Sequence, residues 1–180
     1  MSTEPQPRLA RRVVTGIGDD GRSVVVSDGP TPTWVQRPTG SVVMEIWRAE
    51  SMPARVEDFP VESGEWVMAP PVRGVCVRLA VFPADKDIDA DKAAAYEAAL
   101  HELYGDQGND AQGGAAGMHR TDTIDVVTVL DGEIWLVMEN GETLLRTGDT
   151  LVQRGTRHAW SNRSERACTL SSTQFAAVRE

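Results

Sequence analysis

The sequence predicts an all-β domain, a barrel or sandwich of many short strands, broken by a single helix. Three observations predict it. Short runs of Val, Ile, Thr and aromatic residues recur in both halves of the chain, each bounded by Pro, Gly or Ser clusters. The dipeptide Asn140-Gly141 separates two such runs, a tight-hairpin signal because both central positions of a type I′ turn need φ above zero. Only one stretch, Asp89 to Tyr104, shifts from a two-residue to a helical period.

Residues 1–9 carry Pro5 and Pro7 with little apolar content, and a disordered tail is expected there. Val13 to Val14 and Ser23 to Val26 read as strands around the turn Gly18-Asp19-Asp20-Gly21. Val42 to Trp47, Glu65 to Met68 and Gly74 to Phe82 follow as strands. A first half so rich in strands weighs against an N-terminal helix-turn-helix. The helix has Asp89 as N-cap, Gly105 just past its end, and Tyr96, Leu100 and Leu103 on one face. Residues 105–117 hold closely spaced glycines and read as a flexible loop. Strands return at Thr123 to Leu130, Glu133 to Glu139, Glu142 to Arg146, Thr150 to Val152, His158 to Ser161 and Cys168 to Phe175.

A chain of 180 residues fits one domain with a proper core. Its formal net charge of −9 excludes duplex nucleic acid as an expected partner, since phosphate binding needs clustered Lys and Arg. There is no apolar run long enough to span a bilayer and no secretory leader, so a cytoplasmic protein with no membrane partner is expected. The two cysteines, Cys76 and Cys168, read as buried thiols.

The chemistry concentrates in the second half, where two of the three histidines lie. Side chains alternate across a strand, so His119, Thr121, Thr123, Asp125, Val127 and Val129 share one face. The same parity places His158 beside Trp160 and Asn162. Two imidazoles and one carboxylate then converge from separate strands, a set that can hold one divalent ion, Fe, Zn, Mn or Ni, with positions left open for substrate. His119, Asp125 and His158 are therefore the candidate catalytic and metal-binding residues. Thr121 and Trp160 are candidate substrate contacts on the same faces, and Arg154 and Arg157, flanking the second histidine, could anchor a carboxylate or phenolate. Trp135 reads as core, His101 as surface, and Arg120 as facing away from His119. Neither cysteine has a neighbouring His, and no serine sits in a Gly-x-Ser-x-Gly elbow, so nucleophilic catalysis has no carrier.

The spacing of these residues resembles the two signature motifs of the cupin superfamily. In the first, Gly113, five residues, His119, one residue, Thr121, three residues, Asp125, six residues and Gly132 follow the family order, with Thr121 in place of a second His and Asp125 in place of Glu. In the second, Gly155, His158 and Asn162 match, while Gln153 stands where the family has Pro and Gly148 lies one residue too close. The resemblance implies a double-stranded β-helix, or jelly-roll barrel, with residues 10–83 forming an N-terminal strand arm and the start of the barrel, and 117–180 the motif-bearing half. In that fold a short connection leads from the strand ending near Phe82 to the first motif histidine, so residues 84–116 look like a helical insertion, a candidate lid over the cavity. The resemblance also implies an apolar cavity open at one end, a small organic molecule as partner, and a homodimer formed through edge strands.

Three functions remain open on these residues. One is a metal-dependent small-molecule enzyme of oxygenase (dioxygenase) or lyase type. Another is a metal-free isomerase, dehydratase or cyclase in which a histidine exchanges protons and Asp125 holds its tautomer. The last is a ligand-binding protein without catalysis.

Overall fold

The computed structural model describes residues 7–57, 66–104 and 115–179. Residues 1–6 of the expected tail, Glu65 and most of the glycine-rich loop, including Gly113, lie outside the described residues. Eleven strands, β1 (Arg11–Ile17), β2 (Ser23–Pro30), β3 (Trp34–Gln36), β4 (Val42–Ala49), β5 (Val75–Phe82), β6 (Thr123–Asp131), β7 (Glu133–Met138), β8 (Glu142–Arg146), β9 (Thr150–Arg154), β10 (His158–Ser161) and β11 (Cys168–Ala176), carry the described fold. One α-helix, α1 (Ala90–Tyr104), follows a single 3-10 turn between β5 and β6.

A six-stranded sheet in the order β3-β4-β5-β11-β6-β9 faces a three-stranded sheet in the order β10-β7-β8. Neighbouring strands are antiparallel throughout. This is the expected jelly-roll barrel. β6 shows the alternation that makes it possible: Thr123, Asp125, Val127 and Val129 are buried, whereas Ile124, Val126 and Leu130 are exposed. Val127, Val129, Cys168 and Leu170 of the large sheet pack on Ile134 of the small one, with Phe82, Leu145, Leu151 and Trp160 around them. β1 and β2 form a separate two-stranded arm.

Two motif glycines are explained by backbone crowding. Gly132 has φ +85°, and a Cβ there would sit 3.0 Å from the Ala167 carbonyl oxygen. Gly155 has φ +56°, with the Thr121 carbonyl oxygen 2.9 Å from where a Cβ would be.

The structure departs from the sequence expectations at several points. Trp66 to Met68 form no strand, because arginine side chains occupy the carbonyls that a ladder would use: Arg48 donates to Val67 and Ala69, and Arg78 to Val67 and Met68. β3 was not expected, being only three residues long and hemmed by Pro32 and Pro38. Trp135 lies half-buried outside the core, its ring 4.7 Å from the Arg163 guanidinium, because β7 turns Ile134 and Leu136 inward instead. The helix starts as expected, with the Asp89 carboxylate accepting from the Lys92 N–H at 2.9 Å. Its apolar stripe is shorter than expected: Leu100 is buried but Leu103 is exposed. His101 is exposed, and both cysteines are buried free thiols, with burial raising Cys168 to about 11. Among the described residues no helix is long and apolar enough to cross a membrane.

Candidate functional site

His119 and His158 are brought face to face by an isolated antiparallel bridge just ahead of β6. The N–H of each donates to the carbonyl of the other, at 2.9 and 3.0 Å. Residues opposed in this way project to one side, and the ring centroids are 4.6 Å apart. His119 Nδ1 bonds to the Gly117 carbonyl at 2.9 Å, and His158 Nδ1 to the Thr156 carbonyl at 3.0 Å. A carbonyl only accepts, so both Nδ1 atoms carry the hydrogen and each neutral ring holds its lone pair on Nε2. Burial is the main reason both rings stay neutral. It drives His119 down to about 3, helped by His158, Arg37 and Arg157 and opposed by the Gly117 carbonyl. It also lowers His158, against the pull of the Thr156 carbonyl and Asp125.

Asp125 enters the same cavity from β6 and is only 7% exposed. Its Oδ2 accepts from Gln174 Nε2 at 2.9 Å, while its buried Oδ1 has no hydrogen-bond partner. The chain continues behind it: Arg78 Nη1 donates to Gln174 Oε1 at 2.6 Å, and Arg78 Nη2 to Glu45 Oε2 at 3.0 Å. Burial alone would raise the Glu45 carboxyl, yet bonds from Arg48 and Arg78 outweigh it and leave the group lowered. Gln153, paired opposite Asp125 in β9, is buried, and its amide donates to the Thr156 carbonyl at 2.9 Å.

The cavity between the sheets has a volume of about 100 Å³. Both imidazoles, Asp125, Thr121 and Trp160 line it, together with Arg37, Arg78, Gln153 and Gln174, against apolar walls that include Val43, Phe82, Val127 and Leu170. Trp160 meets His158 edge-on at 5.8 Å, and the Thr121 hydroxyl bonds to that of Thr123 at 2.7 Å. Arg154 and Arg157 do not line the cavity. β9 turns Gln153 inward and so points Arg154 to solvent, and Arg157 Nε lies 3.6 Å from Glu139. Arg120 also lies outside it, as alternation predicts.

Asn162, matched by the second motif, is structural: its amide donates to the Phe82 and Arg166 carbonyls at 3.1 and 2.9 Å and pins the end of β5. Sequence reading missed Arg37, Arg78, Gln153 and Gln174. The signal for Arg78 was an arginine in the middle of an apolar run, Val75 to Phe82. Gln153 was visible only as a departure from the motif.

In kind, these residues fit a divalent ion: two neutral imidazoles with tautomers fixed by backbone carbonyls, and a buried carboxylate oxygen left without a partner. In position they fall short of closing around one. Among the described residues no three His, Cys, Asp or Glu side chains stand close enough to share an ion.

No protein-family model matches the chain. Among curated proteins, it is 57% identical over 56 residues to phomopsin biosynthesis cluster protein C' of Diaporthe leptostromiformis, a match covering 31% of this chain and 30% of that protein. It is 48% identical over 59 residues to oryzines biosynthesis cluster protein J of Aspergillus oryzae, covering 32% and 29%. It is also 33% identical over 82 residues to the cupin-domain-containing oxidoreductase srdD of Neurospora crassa, covering 43% and 42%. The chain thus spans well under half the length of each of these relatives. Among solved structures, a Cupin 2 conserved barrel domain protein from Salinispora arenicola matches at 13% identity and TM-score 0.43, covering 77% of this chain and 78% of that one. The Cnp3 cupin domain of Schizosaccharomyces pombe matches at 10% identity and TM-score 0.46, covering 92% and 87%. The described strands form a jelly-roll barrel, and several of the relatives that match part of the chain are named for the cupin domain.

Proposed function

We propose that this chain is a small-molecule enzyme of oxidoreductase type, in which His119, His158 and Asp125 hold one divalent metal ion at the cavity wall. One observation carries the reading. Three acceptor atoms, the Nε2 of each neutral imidazole and the orphaned Asp125 Oδ1, belong to residues lining one small cavity, and a buried carboxylate oxygen without a donor is costly unless a cation or ligand satisfies it. The word oxidoreductase in the names of several relatives favours a redox reaction over a lyase.

When bound, the ion would supply Lewis acidity or a redox centre to an organic substrate. The chain's own residues do the rest. The Gly117 and Thr156 carbonyls fix both ring tautomers, and Gln174, backed by Arg78, holds Asp125 by one oxygen and leaves the other available. Asp125 would have to move on metal binding, since the three residues do not share an ion as they stand. Val43, Phe82, Leu170 and Trp160 wall the substrate from bulk water.

The test is elemental analysis of protein purified without an affinity metal column, then loaded with Fe, Mn, Zn or Ni. About one ion per chain is expected, with binding weakened at least tenfold in His119→Ala and His158→Ala, since a site of three protein ligands has none to spare. Failure to retain any of these metals would sink the metal reading. The second reading, a metal-free proton-transfer enzyme, is favoured by the distance that keeps three ligands from sharing an ion. It has to contend with a His119 whose pKa near 3 makes it a weak base at neutral pH.

A further inference from the structure

We propose that the cavity binds a small organic carboxylate, anchored by Arg37. The inference rests on the reading of the cavity as a small-molecule site. Arg37 follows β3 in a turn where its N–H donates to the Ser41 carbonyl and its own carbonyl accepts from Gly40, both at 2.8 Å. Its side chain lines the cavity alongside His119 and His158. The guanidinium is held but not neutralised: Nη1 donates to the Tyr96 hydroxyl at 3.0 Å, the group lies 5.8 Å from that ring's centre, and Nη2 meets only the Met68 sulfur at 3.6 Å. A thioether is a weak acceptor, so most of the five N–H donors of this group remain for a ligand.

Among the described residues no carboxylate pairs with Arg37, although the chain has 27 acidic residues against 18 basic ones. The other cavity arginine, Arg78, is charge-paired with Glu45, and its two terminal nitrogens bond Glu45, Gln174 and two backbone carbonyls, leaving only its buried Nε without a partner. The cavity's own carboxylate, Asp125, is bonded to Gln174. A partly desolvated guanidinium over an apolar pocket is built for an anion joined to an apolar body, and its planar fork matches a carboxylate. With about 100 Å³ available, that body is a few carbons or one ring. An acid seated on Arg37 would project this body toward the two imidazoles.

The experiment titrates protein stripped of metal with EDTA, so that an ion cannot supply the anion preference. Propionate, butyrate and benzoate are each compared with their own amide by calorimetry. The parent should bind at least one acid roughly tenfold more tightly than its amide, as expected for a charge-assisted bidentate pair. Arg37→Gln should bring acid and amide together, Arg37→Lys should keep part of the preference, and Tyr96→Phe should keep most of it. If Arg37→Gln does not fold, the parent ratio and Arg37→Lys decide. Equal binding of acids and amides by the parent, no acid binding at all, or a preference that survives in Arg37→Gln would each overturn the proposal. Metal retention is measured separately on the parent. Acid preference without metal retention would uphold this inference and sink only the metal reading, and metal retention with acids and amides bound alike would do the reverse.

Discussion

Gln174 joins two charges that do not touch each other, donating its amide N–H to Asp125 and accepting at its carbonyl from the Arg78 guanidinium. Replacing it with Leu leaves Asp125 with both oxygens unsatisfied and should cost about 1–3 kcal/mol, read as a lowered midpoint in thermal unfolding. The same variant should bind metal about ten- to a hundredfold more weakly by titration, because the carboxylate is no longer oriented. A Gln174→Leu protein matching the parent in both measurements would show that the relay does nothing. Acid stability of the metal-free protein tests the buried imidazoles. His119 is lowered from 6.5 to about 3, so as pH falls below 6.5 the unfolded chain takes up a proton that the folded chain refuses. Stability is therefore full above 6.5 and is lost on the way down to about 3, at a ceiling of about 1.4 kcal/mol per pH unit, with His158 adding in the same direction. Urea titrations from pH 7 to 4 should show this slope, and a flat profile would contradict the buried, neutral pair. His119, Asp125 and His158 were legible in the sequence because parity along a strand says which side chains share a face. Arg78, Glu45 and Gln174 were not, because parity does not say which distant strands lie side by side.

At the level of elements, strands with period-two patterning and marked turns were readable, and so was a helix with an Asp cap. The failures came where side chains from elsewhere satisfy the backbone, as at Trp66 to Met68, or where an element is too short to show a period, as in β3. Helix α1 is the element whose role matters most to the site. Tyr96 accepts from Arg37, and its ring lies where a Cβ on Gly117 would come within 3.1 Å, two residues before His119. Leu100 is buried, so the helix is docked by Tyr96 and Leu100 and leaves Leu103 outside. A segment docked on Tyr96 and Leu100 and joined to the anchor of the cavity is suited to a lid that responds to occupancy. Hydrogen exchange across residues 90–104 should slow when benzoate or a divalent metal is added. Unchanged exchange there, alongside clear protection at His119 and His158, would leave the insertion as a fixed decoration. Tyr96→Ala should speed exchange of the whole helix in the unliganded protein, since it removes the ring packed near Gly117 and the hydroxyl that Arg37 bonds.

At the scale of the whole molecule, the β1–β2 arm calls for a cover. Among the described residues its strands pair only with each other, and its base is closed where Thr31 N–H and hydroxyl both donate to the Ala10 carbonyl at 2.8 Å. Beyond that base Val13, Ile17 and Val25 are 48%, 67% and 59% exposed, and Val24 and Val26 on the opposite face from Val25 are exposed as well. Successive valines exposed on both faces of a lone hairpin gain little from burial, and a two-stranded hairpin is marginal in water without something to pack against. A second copy of the chain is the expected cover, since an arm of this kind can pair edge to edge with its own counterpart and bury both sets of valines. Sedimentation equilibrium should therefore give the mass of a dimer. Val25→Lys should shift the mass toward the monomer while the far-UV spectrum stays that of a β protein, because the barrel core contains none of the arm. A parent that sediments as a monomer at every concentration would sink the dimer, and the arm's valines would then need a different cover.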